Sequence, residues 1–140
     1  MLTSRTKFQT FIRYKCVAQL LASIQKFYPT LTVIIADDSL DEAYETINTT
    51  TFPNAKQYRM PQQSGWFAGR ALAISQVETD YFVWVDDDFV FTKLTDLNHL
   101  LNVIETTGYD LIGGAVASLT ESYWNKHNAI IIEKDSVLGS

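Results

Sequence analysis

Two short apolar runs, LTVIIA at Leu31–Ala36 and YFVWV at Tyr81–Val85, each break off into aspartates, and segments of helical pattern lie between them. Runs of β-branched and aromatic residues without polar alternation are the mark of strands covered on both faces. Strands of that kind need helices above and below, so the chain is held to an α/β sandwich with a mainly parallel sheet and right-handed crossovers. Ligands of such sheets bind beyond the carboxyl ends of the strands. Asp37-Asp38 and Asp86-Asp87-Asp88 both follow a strand directly. The topology is therefore expected to bring the two acidic groups to one rim, far apart in the chain though they are.

The remaining pattern supplies the helices. Val17, Leu20, Leu21, Ile24, Phe27 and Tyr28 recur at helical spacing across Tyr14–Tyr28, and Pro29 closes the segment. Ser39 with Glu42 has the form of a capping box, predicting a short helix to about Asn48. Lys56–Met60 reads as a modest strand, and SGWFAGRALAISQV as a glycine-containing loop entering a helix over Ala68–Val77. Leu94, Leu97, Leu101 and Ile104 stripe a helix over Leu94–Thr107 that Gly108 terminates. YDLIGGAV and Ala129–Ile132 are further strands, and no internal repeat or low-complexity linker interrupts the pattern.

With 140 residues, 46% of them hydrophobic, the chain suits one domain, residues 1–140, with a real core. A net charge of -5 excludes a broad nucleic-acid face without excluding a single nucleotide. The lone cysteine, Cys16, permits neither an intrachain disulfide nor a cysteine-built zinc site. No apolar stretch approaches the ~20 residues of a membrane span, and MLTSRTKFQTF lacks the apolar middle of a signal peptide, so this stretch reads as soluble. Asn48–Thr50 fits the N-glycosylation triplet, a hint of secretory passage.

Three adjacent aspartates beside Trp84, Phe89 and Phe91 repel one another and lose hydration unless something positive sits among them. A divalent cation answers both costs. Oxygen ligands without neighbouring cysteine or histidine favour magnesium or manganese, which take one or two carboxylates and leave other positions to water and phosphate. The alternative is that the acids end a strand and cap the next helix. Arg70, just inside a helix start in GWFAGR, is placed to face an anion together with the helix amides, or else to be an exposed helical arginine. Neither GxxxxGK[ST] nor GxGxxG is present. Trp66, Phe67 and Trp84 suit stacking on a base or sugar, or simply the core. His99 and His127 are isolated.

The ordered set TFIRY, IIADDS, MPQQSGWFAGRALAISQV, WVDDDFVF and DLIGGAV, running from Thr10 to Val116, resembles the animal β-1,4-N-acetylgalactosaminyltransferases of the GM2/GD2-synthase type. The resemblance implies a Rossmann-like nucleotide-sugar transferase fold of the GT-A type with a DXD motif. It implies transfer of N-acetylgalactosamine, or a related hexosamine, from a UDP-sugar donor to a glycan acceptor on a lipid or protein, with inversion and with Mn2+ or Mg2+. By the same resemblance Asp37 contacts the uracil, Thr10 and Arg13 frame the nucleotide, and Arg70 lies near base and diphosphate. Asp86 then reaches the ribose, Asp88 the metal, and Asp87 shapes the turn between them. Full-length relatives of this kind are Golgi type II membrane proteins, with room for a homodimer.

The polar MLTSRTKFQTF departs from the apolar first strand of that family. The chain is expected to be the N-terminal donor-binding part, with the carboxylate base beyond residue 140, since Glu121, Glu133 and Asp135 match no motif. A phosphoacceptor receiver domain is the competing reading, with Asp86 accepting phosphate and Lys134 as its partner. A non-catalytic, degenerate nucleotide-sugar-binding module is the third.

Overall fold

The structure is a computed structural model and describes the backbone of residues 2–3, 10–115 and 128–133, with the side chains of residues 14–114. The chain divides into two compact units, Met1–Val77 with Asp86–Thr95, and Glu78–Val85 with Asp96–Ser140.

In the first unit, β1 (Leu2–Thr3), β2 (Val33–Asp37) and β3 (Ala55–Arg59) run parallel in the order β3-β2-β1, with Ile35 opposite Leu2 and Val33 opposite Ala55. Every residue of β2 is buried, as the unbroken apolar run requires of a central strand. Helix α1 (Thr10–Phe27) begins earlier than its apolar stripe and buries Val17, Leu20, Leu21 and Ile24. Leu20 is 0% exposed, and burial of such a side chain is worth about 1.5–3 kcal/mol. Helix α2 (Trp66–Ser75) packs on β1 and β2 and buries Gly69 and Ala73.

The helix expected after Ser39 does not form. A single 3-10 turn spans Asp41–Ala43, and the backbone at Tyr44 is already extended. Two other sets of hydrogen bonds, one local and one to β3, override the capping signal. The buried Ser39 gives its N–H to Asp37 Oδ1 at 3.0 Å. Gln57 on β3 accepts the Ile47 N–H at 2.8 Å and donates to the Glu45 carbonyl at 2.9 Å, which holds the following segment open.

The second unit contains most of β4 (Tyr81–Asp86), α3 (Leu97–Thr107), β5 (Leu111–Ala115) and β6 (Asn128–Glu133). β6 lies between β4 and β5 and runs antiparallel to both, pairing Phe82 with Ile132 and Gly113 with Ile130. The parallel arrangement expected of the sheet thus holds in the first unit, and the second has an antiparallel ladder. An antiparallel partner needs no crossover helix, so strand composition leaves its direction open. Helix α3 packs on β5, buries Leu97 and Ile104, and ends at Gly108, whose φ of 60° is the left-handed geometry of a helix stop. Leu94 lies outside this helix and is 83% exposed. Thr92 and Thr95 bind one another's backbones in a turn, and Asp96 caps the helix by accepting the His99 N–H at 2.9 Å, which moves its start to Leu97.

Candidate functional site

β2 ends on Asp37, and Asp38 follows; the two are only 3% and 5% exposed. Buried carboxylates are costly unless donors surround them. Here the donors are present. Asp37 Oδ1 accepts the Ser39 N–H at 3.0 Å, while Oδ2 accepts the Tyr14 hydroxyl and, at 2.9 Å, the Gln57 amide. Burial, and then the hydrogen bond to Asp37, raise the Tyr14 phenol well above its ordinary pKa.

Asp38 works on the neighbouring loop. Its carboxylate accepts the Gly65 N–H at 3.0 Å, and the carbonyls of Asp37 and Asp38 accept the N–H groups of Met60 and Gln63 at 2.8 and 3.2 Å. The acidic pair therefore fixes the segment that leads into α2. Gly65, the cap of that helix, has φ 86°, a conformation that side chains with a Cβ rarely adopt.

At the start of α2, one helical turn separates Trp66 from Arg70, and the guanidinium carbon lies 3.2 Å from the indole ring centroid. Phe67 meets Trp66 edge-on at 5.2 Å and is 79% exposed. Trp84, by contrast, is buried in β4 as a core residue. Of the aromatics singled out from sequence, only Trp66 and Phe67 present surface near the expected anion-facing arginine.

The acidic triplet alternates. Asp86 and Asp88 are exposed, and Asp87 between them is buried, inside a turn closed by the Phe89 N–H on the Asp86 carbonyl at 3.3 Å. The residues that follow are pinned to α1. The buried Ser23 hydroxyl accepts the Phe91 N–H at 2.8 Å, the Tyr28 hydroxyl donates to the Thr95 carbonyl at 2.7 Å, and Tyr28 meets the Phe91 ring edge-on at 6.0 Å. Asp37, Asp38, Arg70 and the triplet all belong to the first compact unit.

Thr10 opens α1 and Arg13 lies in its first turn. Glu133 is the last residue of β6, whereas Glu121, His127, Lys134 and Asp135 lie outside the described residues. Among the described residues, no group of three or more histidine, cysteine, aspartate or glutamate side chains is arranged to enclose a metal ion unaided. Reasoning from sequence missed Tyr14, Ser23 and Gln57, which hold the acids and the loop after them. Their partners lie 23, 68 and 20 residues away in the chain, and no local pattern marks them.

β2 and β4 each end on an aspartate, in an α/β fold of the kind that glycosyltransferases of the GT-A type share. The model of glycosyl transferase family 2 matches residues 9–137, and the chain belongs to that family. It is 51% identical over 120 residues to Beta-1,4 N-acetylgalactosaminyltransferase 1 of Mus musculus, which covers 86% of this chain and 21% of that protein. It is 46% identical over 123 residues to Beta-1,4 N-acetylgalactosaminyltransferase 2 of Mus musculus, covering 88% of this chain and 23% of that one. The chain thus spans about a fifth of the length of these curated relatives. The crystal structure of S. aureus TarS 1-349 superposes with a TM-score of 0.64 at 16% identity, covering 98% of this chain and 47% of that chain, a likeness of fold. Family membership sets aside the phosphoacceptor reading of Asp86.

Proposed function

We propose that this chain is the donor-binding part of an N-acetylgalactosaminyltransferase, holding a UDP-sugar and a divalent cation, manganese or magnesium, for transfer to a glycan hydroxyl with inversion. The observation that carries the reading is the exposure of Asp86 and Asp88 on either side of a buried Asp87, at the end of a strand, in a member of glycosyl transferase family 2. Two exposed carboxylates with no histidine or cysteine beside them suit a hard cation whose other ligands are water and diphosphate oxygens. In this reading Asp88 holds the metal, Asp86 takes the ribose, and Asp87 keeps the turn between them. Arg70 lies near the base and diphosphate, Asp37 faces the base, and Thr10 and Arg13 frame the nucleotide.

The acceptor oxygen bonds to the anomeric carbon on the face opposite the diphosphate as the bond from that carbon to UDP breaks, so configuration inverts. Its proton passes to a general base within hydrogen-bond reach of that oxygen. A bound cation supplies charge neutralisation for the departing diphosphate. This chain's own contribution is to orient the donor through a preorganised rim. The acceptor proposed is a glycolipid or glycoprotein glycan. The setting proposed for a full-length relative is the Golgi membrane as a type II protein, with homodimerisation open to it. Among the described residues no helix is long and apolar enough to cross a membrane.

Titration calorimetry with UDP tests the reading. Binding is expected in the presence of manganese and lost when the metal is chelated. Equal affinity with and without metal would overturn it.

A further inference from the structure

The ties on Asp37 go further than holding a buried charge. Resting on the reading of Asp37 as the residue that faces the base, we propose that Tyr14 and Gln57 are positioning residues that decide which base the site takes. A carboxylate offers about four acceptor positions. Tyr14 and Gln57 take both positions of Oδ2, and the Ser39 N–H takes one of Oδ1. Among the described residues, one acceptor position is left, and it is on Oδ1.

The arrangement cannot turn round. Gln57 is oriented from its far side, because Oε1 accepts the Ile47 N–H at 2.8 Å and Nε2 donates to the Glu45 carbonyl at 2.9 Å. Its remaining N–H must point at Asp37. The Tyr14 hydroxyl donates to the same oxygen. Two donors therefore claim Oδ2, and at only 3% exposure Asp37 has little room to rotate. What the base meets is an acceptor alone.

A pyrimidine with an imide N–H, such as uracil, matches that acceptor, whereas the ring nitrogen of cytosine sets lone pair against lone pair. Sites built around one buried hydrogen bond discriminate strongly against a ligand that cannot make it. The wild-type chain is expected to bind UDP at least about tenfold more tightly than CDP.

The substitution Asp37→Asn isolates the positioning. Gln57 and Tyr14 demand the amide oxygen, so the amide nitrogen takes the place of Oδ1 and the acceptor offered to the base becomes a donor. Preference is then expected to swing toward CDP by about tenfold or more relative to wild type. In Asp37→Asn combined with Gln57→Leu and Tyr14→Phe, nothing claims the oxygen except the Ser39 N–H, the amide turns, and the swing is lost. The experiment is calorimetry of UDP and CDP, in manganese, against the wild type and both variants. The ratio of the two affinities is read because ribose and diphosphate contacts are common to both ligands and general weakening cancels. A wild type that binds UDP without preference over CDP, or an Asp37→Asn variant with the wild-type preference, would overturn the positioning and leave the donor site standing. A wild type that binds neither nucleotide would overturn the donor site and this inference together.

Discussion

Ser23→Ala removes one acceptor from the place where the acidic triplet's loop is tied to α1. In the native chain the hydroxyl donates to the Leu20 carbonyl at 2.7 Å and accepts the Phe91 N–H at 2.8 Å, with Ser23 only 8% exposed. Alanine favours the helix by roughly 0.5 kcal/mol over serine. Against that, the buried Phe91 amide loses its partner, which costs about 1–3 kcal/mol. The net expectation is a loss of about 1–2 kcal/mol. With a urea m-value of about 1–3 kcal/mol/M, the midpoint falls by about 0.3–2 M. Tyr28 still reaches Thr95 and still packs on Phe91, so the loop loosens without detaching. Amide exchange read at Phe91 is expected to accelerate by about five- to thirtyfold. An unchanged midpoint together with full protection of the Phe91 amide would refute the claim that Ser23 pins the loop.

Two further expectations follow from the site's scaffolding. Gly65→Ala puts a Cβ on a residue at φ 86° and is expected to destabilise the fold by about 1–3 kcal/mol, read in the same urea titration, even though the added carbon meets nothing within 4 Å. Tyr14 holds its proton in the folded chain beyond the pH at which an unfolded tyrosine releases it, about 10. The stability it contributes is therefore complete below about pH 10 and declines as pH rises from there toward the raised folded value. Tyr14→Phe is expected to flatten that alkaline limb of a stability-against-pH curve, and an unchanged limb would contradict the buried tie to Asp37.

What the sequence made legible was local and periodic. The unbroken apolar runs marked β2 and β4, the 3.6-residue stripe marked α1, and Gly108 marked the end of α3 because only a left-handed residue stops a helix in that way. The adjoining acids marked the candidate site because like charges beside aromatics demand an explanation. Reading failed where hydrogen bonds that the pattern does not display, some between near neighbours and some across the chain, outvoted the expected signals. Ser39 and Glu42 form no capping box, since Ser39 is claimed by Asp37 and the next segment by Gln57. Leu94 extends the helical stripe in sequence but is outranked by the Asp96 cap. The division of labour between Asp37 and Asp38, one held by Tyr14 and Gln57 and the other holding Gly65, rests on contacts between residues 20 to 27 positions apart. No window of sequence displays them.

Asp88→Asn asks whether the turn at Asp86–Asp88 holds a cation and a diphosphate. The residue is exposed, so the substitution leaves packing intact and removes one charged ligand. Calorimetry of UDP in manganese is expected to show binding to the wild type and a loss of at least about a hundredfold in the variant, as removal of a charged contact to a bound ion and diphosphate implies. Wild-type affinity retained by Asp88→Asn would mean that the turn holds neither.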